Sequence, residues 1–233
     1  MIRTLRSPGD KQNQRKSAHP NFDRIARLYR WAEYLLLGPL LQRTRLQLLP
    51  ELHHTRQALV LGDGDGRFLS ELLRSAPHCR VLAIDLSPAM LRLLELRCSF
   101  ARDRVRTLQC SVDDLSPQAI PSGTDVIATH FFLDCLTQAQ VSDLGHTLAR
   151  ATLPGSLWVI SEFGVPAAEP WRSLARAYVQ SLYVAFRLLT GLQVQRLPDI
   201  SQALEAAGWR RLKRVPRLHG FLYSELWTHG SCS

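Results

Sequence analysis

Leu59-Val60-Leu61-Gly62-Asp63-Gly64-Asp65-Gly66-Arg67-Phe68 is the stretch whose reading decides the fold. An apolar run feeds three closely spaced glycines, and an amphipathic pattern begins at Arg67. A strand that ends in a tight turn and opens a helix reads this way. Glycines there let the backbone turn sharply and let a ligand approach main-chain N–H groups at the helix N-terminus. The spacing is G-x-G-x-G. A dinucleotide fingerprint, G-x-G-x-x-G, needs a glycine where Arg67 stands, which disfavours a nicotinamide-dependent dehydrogenase. Nineteen residues after Gly66 comes Asp85, closing the next apolar run, Val81-Leu82-Ala83-Ile84. A carboxylate at that place can accept both hydroxyls of a ribose. Ser87 is available to cap the helix at Pro88, which leaves Asp85 for that task.

Working outward, the same alternation repeats. Short apolar runs at 58–61, 81–84, 105–108, 125–129 and 157–161 are separated by helical patterns at 67–75, 88–100 and 138–151. Alternating strands and helices predict β-α-β units around a parallel sheet covered on both faces. Right-handed crossovers then limit the topology. Towards the N-terminus, Asn21 or Asp23 opens a helix that Gly38-Pro39 breaks, and a second helix runs to about Leu49, where Pro50 ends it. Beyond Phe163 a long amphipathic helix is predicted over 171–189 and a shorter one over 199–207, closed by Gly208. Runs at 209–215 and 221–228 then read as an antiparallel hairpin joined through Pro216–Gly220. The predicted organisation is a disordered basic tail over 1–20, a helical cap over 21–50, and one α/β domain over 51–233 with a helical insertion at about 168–207.

The chain has 233 residues and a formal net charge of +9, with 29 Lys+Arg against 20 Asp+Glu. That balance invites a nucleic-acid reading. Its location argues otherwise: residues 1–60 carry +7, residues 61–200 carry −1 and residues 201–233 carry +3. The portion built around the glycine loop is neutral, and the excess lies in the tail and in Arg210-Arg211-Leu212-Lys213-Arg214. On an edge strand such charges discourage aggregation. No nucleic-acid partner is expected, and a weak peripheral attraction to anionic lipid is the remaining role for the charge. No apolar run reaches the ~20 residues of a membrane span, and the first 20 residues lack the apolar core of a secretory signal. Five scattered cysteines without C-x-x-C argue against a disulfide framework or zinc site and for a reducing, cytoplasmic setting. His53-His54, adjacent in sequence, makes a poor metal clamp, so no metal is expected.

In order and spacing these segments resemble the class I S-adenosylmethionine (SAM) dependent methyltransferases, on a Rossmann-like fold. Residues 59–68 resemble the family's glycine-rich motif and 81–90 its acidic second motif. Residues 109–115 stand where the adenine loop falls, and 125–136 resemble the fourth-strand segment. Residues 148–162, with Pro154-Gly155, resemble the segment with the Leu-x-Pro-Gly-Gly turn before strand five. Phe22-Asp23-Arg24-Ile25-Ala26 with Tyr29, Thr190-Gly191-Leu192 and Ala207-Gly208-Trp209 are similar to the ubiquinone/menaquinone C-methyltransferase-like branch. The resemblance implies a mostly parallel seven-stranded sheet with a C-terminal antiparallel hairpin and SAM as cofactor, leaving as S-adenosylhomocysteine. It implies Gly62, Asp63, Gly64 and Gly66 along the methionine portion, Asp85 on the ribose, and Leu86, Ser111 and Val112 around the adenine. Tyr29 closes over the cofactor, and His130 faces the methyl group. The sequence departs from the family at Val60, where an acid is usual, and at Cys110-Ser111, where Gly-Asp is usual.

The activity so implied is in-line methyl transfer to a small acceptor, assisted by a base if the acceptor carries a proton. Candidate bases are His130 and Asp134, with His219 a turn residue. Thr129-His130-Phe131-Phe132 lacks the Asn/Asp-Pro-Pro-aromatic pattern of methyltransferases acting on adenine or glutamine. An aromatic wall there suits a flat or apolar acceptor. The rival readings are a non-catalytic SAM-fold partner protein and a nucleic-acid methyltransferase.

Overall fold

The computed structural model describes residues 38–164 and 198–230. The tail over 1–20, most of the cap over 21–50 and the helix expected over 171–189 lie outside them. Seven strands form one sheet: β1 (Gln57–Leu61), β2 (Arg80–Asp85), β3 (Val105–Gln109), β4 (Val126–His130), β5 (Leu157–Phe163), β6 (Trp209–Arg217) and β7 (Leu222–His229). Their order is β3-β2-β1-β4-β5-β7-β6. The pairs among β1 to β5 are parallel, and β7 runs antiparallel to both β5 and β6. The helices are α1 (Gly38–Arg45), α2 (Arg67–Ser75), α3 (Pro88–Arg97), α4 (Gln138–Ala151) and α5 (Ile200–Ala206).

The central strands are apolar throughout because both of their faces are covered. On one face Leu59, Leu61, Ile127, Trp158 and Ile160 pack with α4 and α5. On the other Ala58, Val60, Ala128 and Val159 pack with Phe68, Leu69, Leu72 and Leu73 of α2. Helix boundaries follow local chemistry. Ser87 caps α3 by accepting the Met90 N–H, with Pro88 in the first turn. Thr137 and Gln140 form a capping box at α4. Asp199 caps α5.

Two expectations shift. The second N-terminal helix ends at Arg45, and Pro50 lies inside a separate 3-10 turn, Leu49–Leu52. Proline fits the first turn of a helical segment, where its missing N–H has no partner to lose. Likewise Pro216 lies within β6 and pairs with Tyr223, and the connection is a 3-10 turn, Leu218–Gly220. Strand β6 is the sheet edge, where proline is tolerated. None of the helices among the described residues is long and apolar enough to cross a membrane.

The strand order reverses between β1 and β4. In open α/β sheets the crevice outside the carboxyl ends at such a point is where ligands bind. Leu61 is in register with Ile84 on one side and Thr129 on the other, so the loops after β1, β2 and β4 meet there.

Candidate active site

The glycine loop takes three left-handed turns in succession: Gly62, Gly64 and Gly66 have φ of 65°, 62° and 79°. The surroundings separate their tasks. A Cβ on Gly62 would strike the Phe132 ring, and one on Gly66 would meet Leu94 Cγ at 2.9 Å and its Cα at 3.1 Å. Those two glycines serve close packing as well as the turn. A Cβ on Gly64 would meet only Met90 Sδ at 3.9 Å. Gly64 is therefore where the backbone lies open to a ligand.

Asp85 ends β2 across from this opening. Its carboxylate accepts the Ser87 N–H at 2.8 Å and also bonds the backbone of Gly64 and Leu86. Burial pushes its acid up to about 6 against those bonds. Ser87 does cap α3, yet it also occupies one Asp85 oxygen, so Asp85 is less free than the sequence suggested. Leu86 and Val112 are half-buried on the same rim, and Gln109 Nε2 donates to the Leu86 carbonyl at 3.3 Å. Ser111 caps a 3-10 turn by accepting the Asp113 N–H. Asp113 in turn accepts the Gln140 amide at 2.9 and 3.0 Å, which ties the loop to α4. Asp113 therefore serves the scaffold.

Asp63 faces inward. Its oxygens accept the Phe68 and Leu69 N–H groups at 3.3 and 2.9 Å, capping α2 from five and six residues away. Its carboxyl is pushed up to about 7, chiefly by burial, with the Leu69 N–H and Arg45 opposing. It is a cap, which corrects its expected place on the cofactor. The family's usual acid position, Val60, is wholly apolar in surroundings. Asp65 pairs with Arg97 at 2.7 Å and with Arg67 at 3.2 Å, pinning the loop to α3.

The Asp63 shift has a sign that can be checked. A carboxyl whose folded pKa lies above its unfolded value stabilises the fold fully below about pH 4. That contribution is lost as pH rises through about 7. Relative to Asp63→Asn, the wild type gains stability between pH 8 and pH 5, by an amount on the order of a few kcal/mol. Urea unfolding of both proteins at the two pH values measures it. Equal changes in both would remove the assignment.

His130 ends β4 and is 2% exposed. Nδ1 lies 3.0 Å from Ser161 Oγ, the ring rests 4.2 Å from Phe68, and Nε2 is buried with no hydrogen-bond partner. Burial and then the Arg45 charge hold its pKa well below the ordinary histidine value. A base must become a cation when it takes a proton, and these surroundings oppose that. His130 is a neutral core residue, which corrects its expected place as an acid–base group. Ser161 and Ser224 both donate to the Thr44 carbonyl, at 3.4 and 2.7 Å, so the end of α1 is fastened over the same strand ends.

The chain then turns through Phe131, at φ 54°. Phe131 stacks on Phe163 at 5.1 Å and Phe163 on Phe221 at 5.6 Å, with Arg45 5.1 Å above the Phe131 ring. Asp134 lies in the following 3-10 turn, Leu133–Cys135. Sequence reasoning missed its neighbour, Glu162, which is fully buried at the end of β5. Glu162 Oε1 accepts the Phe132 and Leu133 N–H groups at 3.1 and 2.8 Å, and Oε2 has no donor. A carboxylate within an otherwise apolar strand was the available signal. Tyr29 lies outside the described residues, and His219 sits in the β6–β7 turn at φ 55°. The described residues hold no group of three or more His, Cys, Asp or Glu able to bind a metal.

These features fit SAM: an open glycine at the switch point, a carboxylate opposite it and an apolar rim beyond. Residues 59–157 match the methyltransferase domain family. Among curated proteins, the malonyl-[acyl-carrier protein] O-methyltransferase of Paenibacillus sp. (strain JDR-2) is 30% identical over 107 residues. That match covers 46% of this chain and 38% of the relative, so the chain spans about two-fifths of that relative's length. An O-methyltransferase family protein from Burkholderia thailandensis superposes with a TM-score of 0.67 at 17% identity, covering 91% of this chain and 62% of that one. Human N-acetylserotonin methyltransferase, solved with SAM, superposes at 0.62 and 16% identity, covering 89% and 55%. Fold, glycine loop and family match agree: residues 59–157 match a methyltransferase domain, and the sheet carries the fold of solved SAM-dependent methyltransferases.

Proposed function

We propose that the protein transfers the methyl group of SAM to an oxygen of a small, flat or apolar acceptor. The observation that carries the reading is the open Gly64 backbone facing Asp85 at the reversal of strand order. Gly62, Gly64 and Gly66 would hold the methionine portion, Asp85 the ribose, and Leu86 and Val112 the adenine. When bound, SAM supplies a methyl group on a sulfonium, which is its own leaving group. The protein's task is to hold the acceptor in line and dry, an effect worth up to roughly 7–11 kcal/mol. The aromatic group of Phe131, Phe163 and Phe221 suits an apolar acceptor. The O-methyltransferases among the relatives support oxygen as the methylated atom. The neutral middle of the chain supports a small molecule over nucleic acid, and the cysteine pattern a cytoplasmic setting.

A second reading, a non-catalytic SAM-fold partner protein, is favoured by Val60, which puts an apolar side chain where the family's acid is usual. Isothermal titration with SAM and S-adenosylhomocysteine separates the two. The enzyme reading expects micromolar binding of both ligands. No heat at millimolar ligand would end it.

A further inference from the structure

Resting on the methyl-transfer reading, we propose that Asp134 and Glu162 share one proton as a carboxyl pair, which receives the proton released by a hydroxyl acceptor. Asp134 is the acceptor-facing member and Glu162 the positioning residue.

The pairing follows from strand geometry. Strands β4 and β5 are parallel neighbours, with His130 in register with Ser161. Four residues past the end of β4, the chain brings Asp134 against Glu162, one residue past that register. Their side chains are in hydrogen-bonding contact. A bond between two carboxyls requires a proton on one of them. Glu162 shows where it is needed: Oε1 is satisfied by two backbone N–H groups, whereas Oε2 is buried with no donor. Two ionised carboxylates so close, in so dry a place, repel each other. Burial first, then the Asp134 charge, raises the Glu162 pKa well above its ordinary value, and burial lifts Asp134 to about 6. The second proton therefore enters near neutrality, where a base is useful.

The titratable neighbours among the described residues leave the pair in place. Cys135 Sγ donates to Asp134 Oδ1 at 3.4 Å, and its own pKa is raised well above the thiol range by burial. Tyr223 is Glu162's register partner on β7 and stays protonated, its pKa raised by burial and by Glu162. Arg214 lies 4.0 Å over the Tyr223 ring. As a residue Asp134 is half-buried, whereas Glu162 is fully buried.

In the step so assigned, an acceptor oxygen lone pair forms the new O–CH3 bond. The S–CH3 electron pair returns to sulfur, and the hydroxyl proton passes to Asp134. The pair goes from one shared proton to two and later releases one to water. A carboxylate acceptor has no proton to give and meets a negative pair. The inference therefore assigns a neutral hydroxyl, phenolic or alcoholic, as the acceptor.

Two measurements test this on the full chain. In the first, carbon-13 carboxyl-labelled aspartate is followed by NMR, with the Asp134 signal assigned by Asp134→Asn. Asp134 should titrate near 6 in the wild type, and in Glu162→Ala, which removes the hydrogen bond that holds it down, it should rise by about one unit or more. An unmoved midpoint overturns the pair. In the second, labelled SAM and catechol serve as probes. The wild-type rate should fall on the acid side with a midpoint near 6. Glu162→Ala should shift that limb up, and Asp134→Asn should lose roughly 10²–10⁴-fold in kcat. An acid limb unmoved by Glu162→Ala, or no catechol methylation by a protein that binds SAM, overturns the proton-acceptor role. Failure to bind SAM at all is a failure of the methyl-transfer reading, and the NMR result is independent of it.

Discussion

Gly64→Arg should fold and lose SAM. The added Cβ meets nothing nearer than Met90 Sδ at 3.9 Å, so the side chain enters open space. The backbone cost is that of a non-glycine residue at φ 62°, about 1–2 kcal/mol. For a chain of this size that lowers Tm by a few degrees, roughly 2–4 °C per kcal/mol. The space the arginine fills is where the ligand backbone must run, so binding weakens at least ~100-fold, equivalent to about 2.7 kcal/mol. Calorimetric titration with SAM and a thermal melt on the same preparation measure both quantities. Gly66→Val serves as the contrast. It drives its Cβ onto the Leu94 backbone and should lower stability far more. A Gly64→Arg protein that binds SAM as the wild type does would falsify the assignment of this face.

Trp158→Ala should cost more stability than any loop change. Trp158 is 0% exposed near the start of β5, donates its indole N–H to Thr129 Oγ1 at 3.0 Å, and meets Trp209 edge-on at 5.1 Å. Truncation leaves a cavity between the sheet and α4 and strands the Thr129 hydroxyl in an apolar core. Loss of a buried tryptophan is worth about 3–5 kcal/mol. Total stabilities run at about 5–15 kcal/mol, so the variant sits near the edge of folding. Trp158→Phe keeps most of the volume and should lose appreciably less. Urea denaturation of the three proteins gives the comparison, and a loss under about 1 kcal/mol for the alanine variant contradicts the packing described.

The sheet was legible because buried parallel strands are written as unbroken apolar runs. The apolar runs from Ala58 and from Leu157 are strands on that ground alone. Helix α3 was legible from Ser87-Pro88, whose capping chemistry is local, and α4 from the helical pattern over 138–151. What was illegible depended on direction. Asp63 and Asp65 sit in one motif and look alike, yet one turns under the loop to cap α2 and the other turns out to Arg97. No spacing distinguishes them. The resemblance places His130 at the methyl group. The two-residue alternation of β4 instead sends it to the face occupied by Phe68. Glu162 could have been found, since a carboxylate closing a buried strand must have partners. Its meeting with Asp134, however, depends on how the chain turns at Phe131.

The place of β7 in the sheet has a consequence for synthesis. It is buried along all eight residues and lies between β5 and β6. Yet it leaves the ribosome about 60 residues after β5, an interval of roughly 3–12 s at ordinary translation rates. Throughout that interval the Leu-Trp-Val-Ile-Ser-Glu-Phe strand has one side paired with β4 and the other unpaired. The nascent chain thus carries a temporary sticky edge that its own last strand must seal, and this makes β5 the natural point of capture by chaperones or by a second nascent copy.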